Sequence, residues 1–217
     1  MPAAGGTTRE RLILAAEHLW ADKGVDGVSL REINRASGAR NAVAVQYHFD
    51  DRAGLLQAIL EKHLPYVDAR RHALLDEIEA AGGVDSRALA GALVRPFATK
   101  LSDPDGGREF LQIYADLVSR LSPVFVSSGH GADSLERWRN AVRPLLAEDA
   151  ERLHRRFTCI LHAAVELSRR ARSGPHTDDR LFTSYLVDVV ESILTAPVSD
   201  ETKRLADERD RARDRNG

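Results

Sequence analysis

Apolar residues along this chain recur three and four positions apart from Leu12 to Leu194, and no segment alternates polar with apolar as a half-buried strand does. That one period predicts an all-α protein. Helix starts are marked by residues that satisfy unpaired backbone N–H groups: Thr7 with Glu10, Ser29 with Glu32, and Asp133 with Glu136. The first helix carries Leu12, Ile13, Ala16, Leu19 and Trp20 on one stripe, and Gly24 is the expected residue just past its end. A second, short helix from Ser29 places Leu30, Ile33 and Ala36 inward and breaks at Ser37-Gly38. A third begins at about Asn41, with Val45 and Phe49 on its inner face. Two short helices around a glycine-containing corner have helix-turn-helix geometry, in which the second helix enters the major groove.

Asp50 or Asp51 then caps a fourth helix through Leu55, Leu56, Ile59 and Leu60, which Pro65 is expected to end or kink. Residues 66 to 81 resume an amphipathic pattern. Further helices are predicted over 86 to 101 (disturbed at Pro96), 107 to 121, 133 to about 144, 146 to 172 and 178 to 195, with residues 122 to 132 as a loop. The apolar face of 178 to 195 is too wide for one contact and suggests a subunit interface. The charged tail from Asp200 is expected to fray.

Composition bounds the function. A single cysteine, Cys159, excludes an internal disulfide framework and fits a reducing cytoplasm, the expected location. No secretory signal and no run of about 20 apolar residues is visible. Net charge is -2, and residues 1 to 62 hold eight Lys/Arg against eight Asp/Glu, so a basic stripe gives no vote for nucleic acid. Any DNA contact rests on placement, with Arg31, Arg35, Arg40, His48 and Arg52 clustered around one motif.

The ordered set Ser29, Ile33, Ala36-Ser37-Gly38, Tyr47-His48-Phe49, Arg52 and Leu55-Leu56 resembles the N-terminal domain of tetracycline-repressor-like (TetR) transcriptional regulators over about residues 8 to 62. The stretch from Gly38 to Phe49 is one residue longer than the usual pattern. The resemblance implies a helix-turn-helix DNA-binding domain over residues 1–62 and a helical ligand-binding and dimerisation domain over 63–217. The implied partners are a palindromic double-stranded operator, a small effector and a second copy of the chain, held through helices of about 146–172 and 178–195. The implied function is a repressor released by a small hydrophobic effector.

At the start of the third helix, Arg40 suits guanine and Asn41 suits adenine. Val43 and Ala44 either face thymine methyls or pack. Gln46 stands where the family usually has a DNA-facing tyrosine. Tyr47 and His48 match the family's phosphate contacts, and Arg52 its basic residue at the start of the fourth helix, where the helix N-terminus also attracts phosphate. Ser29 is first a cap and second a phosphate contact. Thr8 and Arg9 resemble the family's polar arm. In the C-terminal part, Phe97, Phe110, Tyr114, Trp138, Phe157 and His162 either line a cavity or form ordinary core. Cys159, His162 and Glu166 share one helical face without a visible further metal ligand. No phosphate loop, zinc-finger spacing or nucleophile elbow occurs, so neither cofactor nor enzymatic activity is expected. Two alternatives stay open. One is a TetR-like DNA-binding protein that organises chromosomes without an effector, and the other an all-helical small-molecule binding protein or enzyme.

Overall fold

The computed structural model describes residues 6–39, 41, 43–82, 85–120, 132–146, 149–150 and 153–215. These are helical and contain no strand. The capping boxes at Thr7/Glu10 and Ser29/Glu32 both form and open α1 (Thr8–Lys23) and α2 (Leu30–Ala36). α3 (Ala44–Phe49) starts three residues later than the spacing predicts, because Asn41 folds into a turn: its Oδ1 accepts from the Val43 N–H at 3.0 Å. α4 (Arg52–Ala80) is capped by Asp51, whose Oδ1 accepts from the Gly54 N–H at 2.9 Å.

α4 runs through Pro65, contrary to the break expected there. Proline removes one backbone donor, but Leu60, Leu64, Val67 and Leu75 stay buried along the helix, and that packing holds it continuous. The residue 62/63 boundary therefore falls inside one helix.

α5 (Ser86–Ala98) contains Pro96 and tightens into a 3-10 turn, Thr99–Ser102, in which the Thr99 hydroxyl donates to the Pro96 carbonyl at 2.7 Å. α6 (Gly107–Arg120) follows. The expected loop over 122 to 132 lies outside the described residues except for Ala132, which opens α7 (Ala132–Ala141). The long helix predicted over 146 to 172 is shorter: α8 spans Arg155–Arg172. His154 precedes it at φ 55°, a left-handed conformation that an L-residue helix cannot continue through. α9 (Arg180–Thr195) matches the expected element. The tail does not fray at Asp200; Ser199 caps α10 (Asp200–Asp214), whose internal ion pairs, such as Arg204–Glu208, support a helix with little apolar surface.

Apolar packing is continuous from Leu12 in α1 to Leu194 in α9. α6 lies against α8 and α1, α5 against α9 and α4, and α7 against α4. No single helix among the described residues is long and apolar enough to cross a membrane.

A polar junction pins α1 to the rest. Glu17, fully buried on α1, accepts from Lys62 Nζ at 3.0 Å and from His63 Nε2 at 2.8 Å, both on α4. Lys62 also meets Asp105 at 2.8 Å. Burial alone would lower the Lys62 pKa; its hydrogen bonds and charges with Asp105 and Glu17 outweigh that and hold it above the ordinary lysine value. Gly106, at φ 78°, lets the backbone pass so close to Glu17 that a Cβ there would collide with the carboxylate.

Candidate nucleic-acid interface

The corner between α2 and α3 is built from polar side chains turned back on the backbone. Gly38 adopts φ 66°, as a tight helix–helix corner requires. Ser37 is buried, and its hydroxyl donates to the Asn34 carbonyl at 2.8 Å. Asn34, also buried, offers Oδ1 to the Val45 N–H at 3.1 Å and so fastens α3 to α2. Six residues cannot form a stable helix alone, so these bonds and the burial of Ala44, Val45 and Phe49 hold α3 in place.

The opposite edge of α3 faces outward. Tyr47 is 81% exposed and Val43 51%, and Gln46 is exposed beside them. His48 is half-buried, its ring 5.0 Å from that of Tyr47 in an edge-on contact. Asn41 is exposed but commits Oδ1 to its own turn, leaving its amide N–H groups outward. Arg40 lies outside the described residues.

Two candidate contacts have partners within the chain. Ala44 is 3% exposed and packs inward, the second of the two readings open to it. Arg52 donates from Nη1 to the Val25 carbonyl and ties the start of α4 to the α1–α2 loop. There it borders a cleft of about 330 Å³ with Asp26, Asp116 and Arg120. Ser29 is exposed, but its hydroxyl donates to Glu32 Oε2 at 2.8 Å and accepts from the Glu32 N–H at 3.2 Å. Hydrogen bonds from the Ser29 backbone, then its side chain, hold the Glu32 carboxyl below its ordinary value.

Sequence reasoning missed Arg11. A cleft of about 430 Å³ beside α3 is lined by Thr8, Arg11, Asn41, Tyr47 and His48 among others. Arg11 Nη2 donates to Thr8 Oγ1 at 3.2 Å, while its buried Nε has no partner. Spacing hid it: Arg11 precedes the apolar stripe of α1 by one residue and reads as ordinary helix surface. Arg9 stacks its guanidinium 5.2 Å from the Phe49 ring centroid.

The C-terminal candidates separate into two sets. Phe97, Phe110 and Tyr114 form one buried cluster, with ring centroids 4.3 Å apart for Phe97–Tyr114 and 6.1 Å for Phe97–Phe110. Burial pushes the Tyr114 pKa up to about 12. Trp138 is fully buried and donates from Nε1 to the Leu89 carbonyl at 2.8 Å, so it anchors α7 to α5. Phe157 and His162 are only partly buried, on α8. Cys159 is buried and its thiol is pushed up to about 12 by burial. Among the described residues no three His, Cys, Asp or Glu side chains form a metal-binding group.

α9 exposes Leu181 (83%) and Tyr185 (67%), four residues apart on one face, and α8 exposes Val165 (36%).

No family model and no curated protein matches the chain. Among solved structures it is similar to the HlyIIR mutant protein with residues 170-185 substituted by alanine, at 14% identity and a TM-score of 0.56, over 91% of this chain and 100% of that one. A provisionally assigned TetR-family transcriptional regulator from Mesorhizobium loti aligns at 15% identity and a TM-score of 0.48, over 87% and 95%. Another, from Rhodococcus sp., aligns at 22% and 0.42, over 86% and 98%. The first carries the likeness, which is one of all-α fold.

Proposed function

We propose that this chain is a DNA-binding transcriptional regulator, a repressor released from a palindromic operator by a small molecule. One observation carries the reading: α3 buries Ala44, Val45 and Phe49 and turns Val43, Gln46 and Tyr47 outward, with Asn41, His48 and Arg11 around the adjoining cleft. A short, pinned helix with an exposed polar and aromatic edge suits the major groove. In this reading residues 1–62 hold one operator half-site, Gln46 and Asn41 face base edges, and Tyr47, His48 and Arg11 meet phosphates. Residues 63–217 hold the effector and dimerise through α8 and α9, which expose Val165 and the Leu181/Tyr185 pair respectively. Effector binding favours a form whose recognition helices are wrongly spaced, and the population leaves the DNA. The output is DNA occupancy rather than turnover, and the chain works in the cytoplasm.

Selection of bound sequences from a random duplex pool tests this directly. A palindromic motif is expected; Tyr47→Ala weakens binding to every sequence, and Arg11→Ala does so while reducing the salt slope by about 1, since only the cation releases a counterion. Recovery of no motif, Tyr47→Ala affinity equal to wild type, or an Arg11→Ala slope equal to wild type, refutes the interface.

A further inference from the structure

Arg71 lies in the middle of α4 and is 2% exposed. An arginine side chain stays charged at any physiological pH, so burying it calls for a compensating anion. Among the described residues Arg71 forms no close ion pair; Asp68 acts on its charge from beyond that distance. Nη1 donates to the Ser134 hydroxyl on α7 at 2.8 Å, and Nε has no partner. The carboxylate of Asp68, one turn away, is turned to the Ser134 N–H at 3.2 Å and lies 3.7 Å from His72. The guanidinium carbon sits 5.5 Å from the Phe97 ring centroid, and Phe97 packs on Tyr114.

We propose that Arg71 is the anion-recognising group of the effector site, and that the effector is an aromatic carboxylic acid whose carboxylate pairs with this guanidinium and whose ring packs among Phe97, Phe110 and Tyr114. The inference rests on reading the C-terminal part as an effector-binding unit. A planar guanidinium with unspent donors matches a carboxylate in both charge and fork geometry. The three rings, here packed on one another with centroids 4.3 to 6.1 Å apart, give a ligand ring an apolar body site only once the packing opens. Because Nε is enclosed, an anion reaches it only when the packing around α4 opens. Binding therefore selects a form in which α4, which begins at Arg52 beneath α3, has shifted.

The full chain is titrated calorimetrically with benzoate, salicylate and phenylacetate, each against its neutral carboxamide. The acids are expected to bind, with the amides weaker on the order of ten- to a hundredfold, the worth of one charge-assisted pair. Arg71→Met abolishes the preference and melts no lower than wild type without ligand, since a buried cation with no close counter-ion has been removed. Equal binding of acids and amides, binding of neither, or a retained preference in Arg71→Met overturns the proposal. Should Arg71→Met fail to fold, the acid–amide comparison on the wild-type chain decides alone. A parallel measurement on operator DNA separates the two readings. Acids that bind without releasing DNA refute release while leaving the site. A chain that binds no DNA refutes the regulator, with the site still judged by calorimetry.

Discussion

Replacing Glu17 by glutamine tests whether the junction between α1 and α4 is held by charge or merely by shape. The carboxylate is fully buried and accepts from Lys62 at 3.0 Å and His63 at 2.8 Å. Glutamine keeps the volume and one acceptor oxygen, enough for His63, but turns an amide N–H₂ or a neutral oxygen toward the Lys62 ammonium. A hydrogen bond to a charged group contributes about 1.5–3 kcal/mol. Lys62 retains Asp105 at 2.8 Å and is 22% exposed, so solvent and the second carboxylate recover part of the loss. A destabilisation of about 2 kcal/mol is expected. For a chain of this size that lowers Tm by roughly 4–8 °C. The assay is thermal unfolding of the wild type, Glu17→Gln, Lys62→Met and the double variant. A coupling of about 1–2 kcal/mol between the two sites is expected from the cycle. Amide hydrogen exchange supplies a positional check: α1 loses protection while α9 does not. An unchanged Tm, or single effects that simply add, would show that the Lys62 charge is settled without Glu17, and the junction would then be packing alone.

Further outcomes follow from the same contacts. Lys62, Tyr114 and Cys159 all have pKa values raised in the folded chain, the latter two to about 12. Each contributes stability that is complete below its unfolded value and lost as pH rises through the folded one, so unfolding free energy falls from about pH 8.5 upward, and a flat profile between pH 8 and 11 refutes this. Cys159 in the native chain reacts with a thiol reagent only at the rate of unfolding, and rapid labelling without denaturant contradicts its burial. Trp138→Phe loses the bond to the Leu89 carbonyl and costs about 0.5–1.5 kcal/mol in urea unfolding for that bond, since the carbonyl keeps its place in the α5 ladder. Asn34→Leu strips the Val45 N–H of its acceptor at a cost of about 1–3 kcal/mol and weakens operator binding more than its fall in stability explains; equal affinity to wild type refutes the pinning of α3.

Helical periodicity and caps made most of the element order legible, because both depend on residues near in sequence. Thr7/Glu10 and Ser29/Glu32 act within four residues and form as their spacing requires. Breaks were less legible. Pro65 carries a strong local penalty, yet the packing of Leu60, Leu64 and Val67 decides that α4 continues. His154 carries no local signal for a break and still takes the left-handed conformation before α8. The same limit hid the polar side chains that matter most inside. Glu17 falls between Ala16 and Trp20 on the buried stripe of α1, Asn34 follows Ile33, and Arg71 stands four residues from both Val67 and Leu75. Each is a polar residue at an apolar register position, a readable anomaly. Its partner is 11 to 63 residues away, beyond what spacing reaches.

Those three anomalies lie along one mechanical line. Arg71 meets α7 in the middle of α4, Glu17 grips α4 two turns earlier at Lys62 and His63, and Arg52 and Asn34 fix the start of α4 and the whole of α3 to the N-terminal helices. A close-packed core transmits a displacement rather than absorbing it, and a buried hydrogen bond is lost once its partners part by more than about half an ångström. A shift of α4 at Arg71 therefore cannot be absorbed gradually along the helix. It must break or preserve the Glu17 pair as a unit, and α1 with α3 moves accordingly. On the proposed regulator reading, the Glu17–Lys62 pair is where a change in the C-terminal half would pass to the outward edge of α3, and the double-mutant cycle above, repeated on DNA binding, tests it.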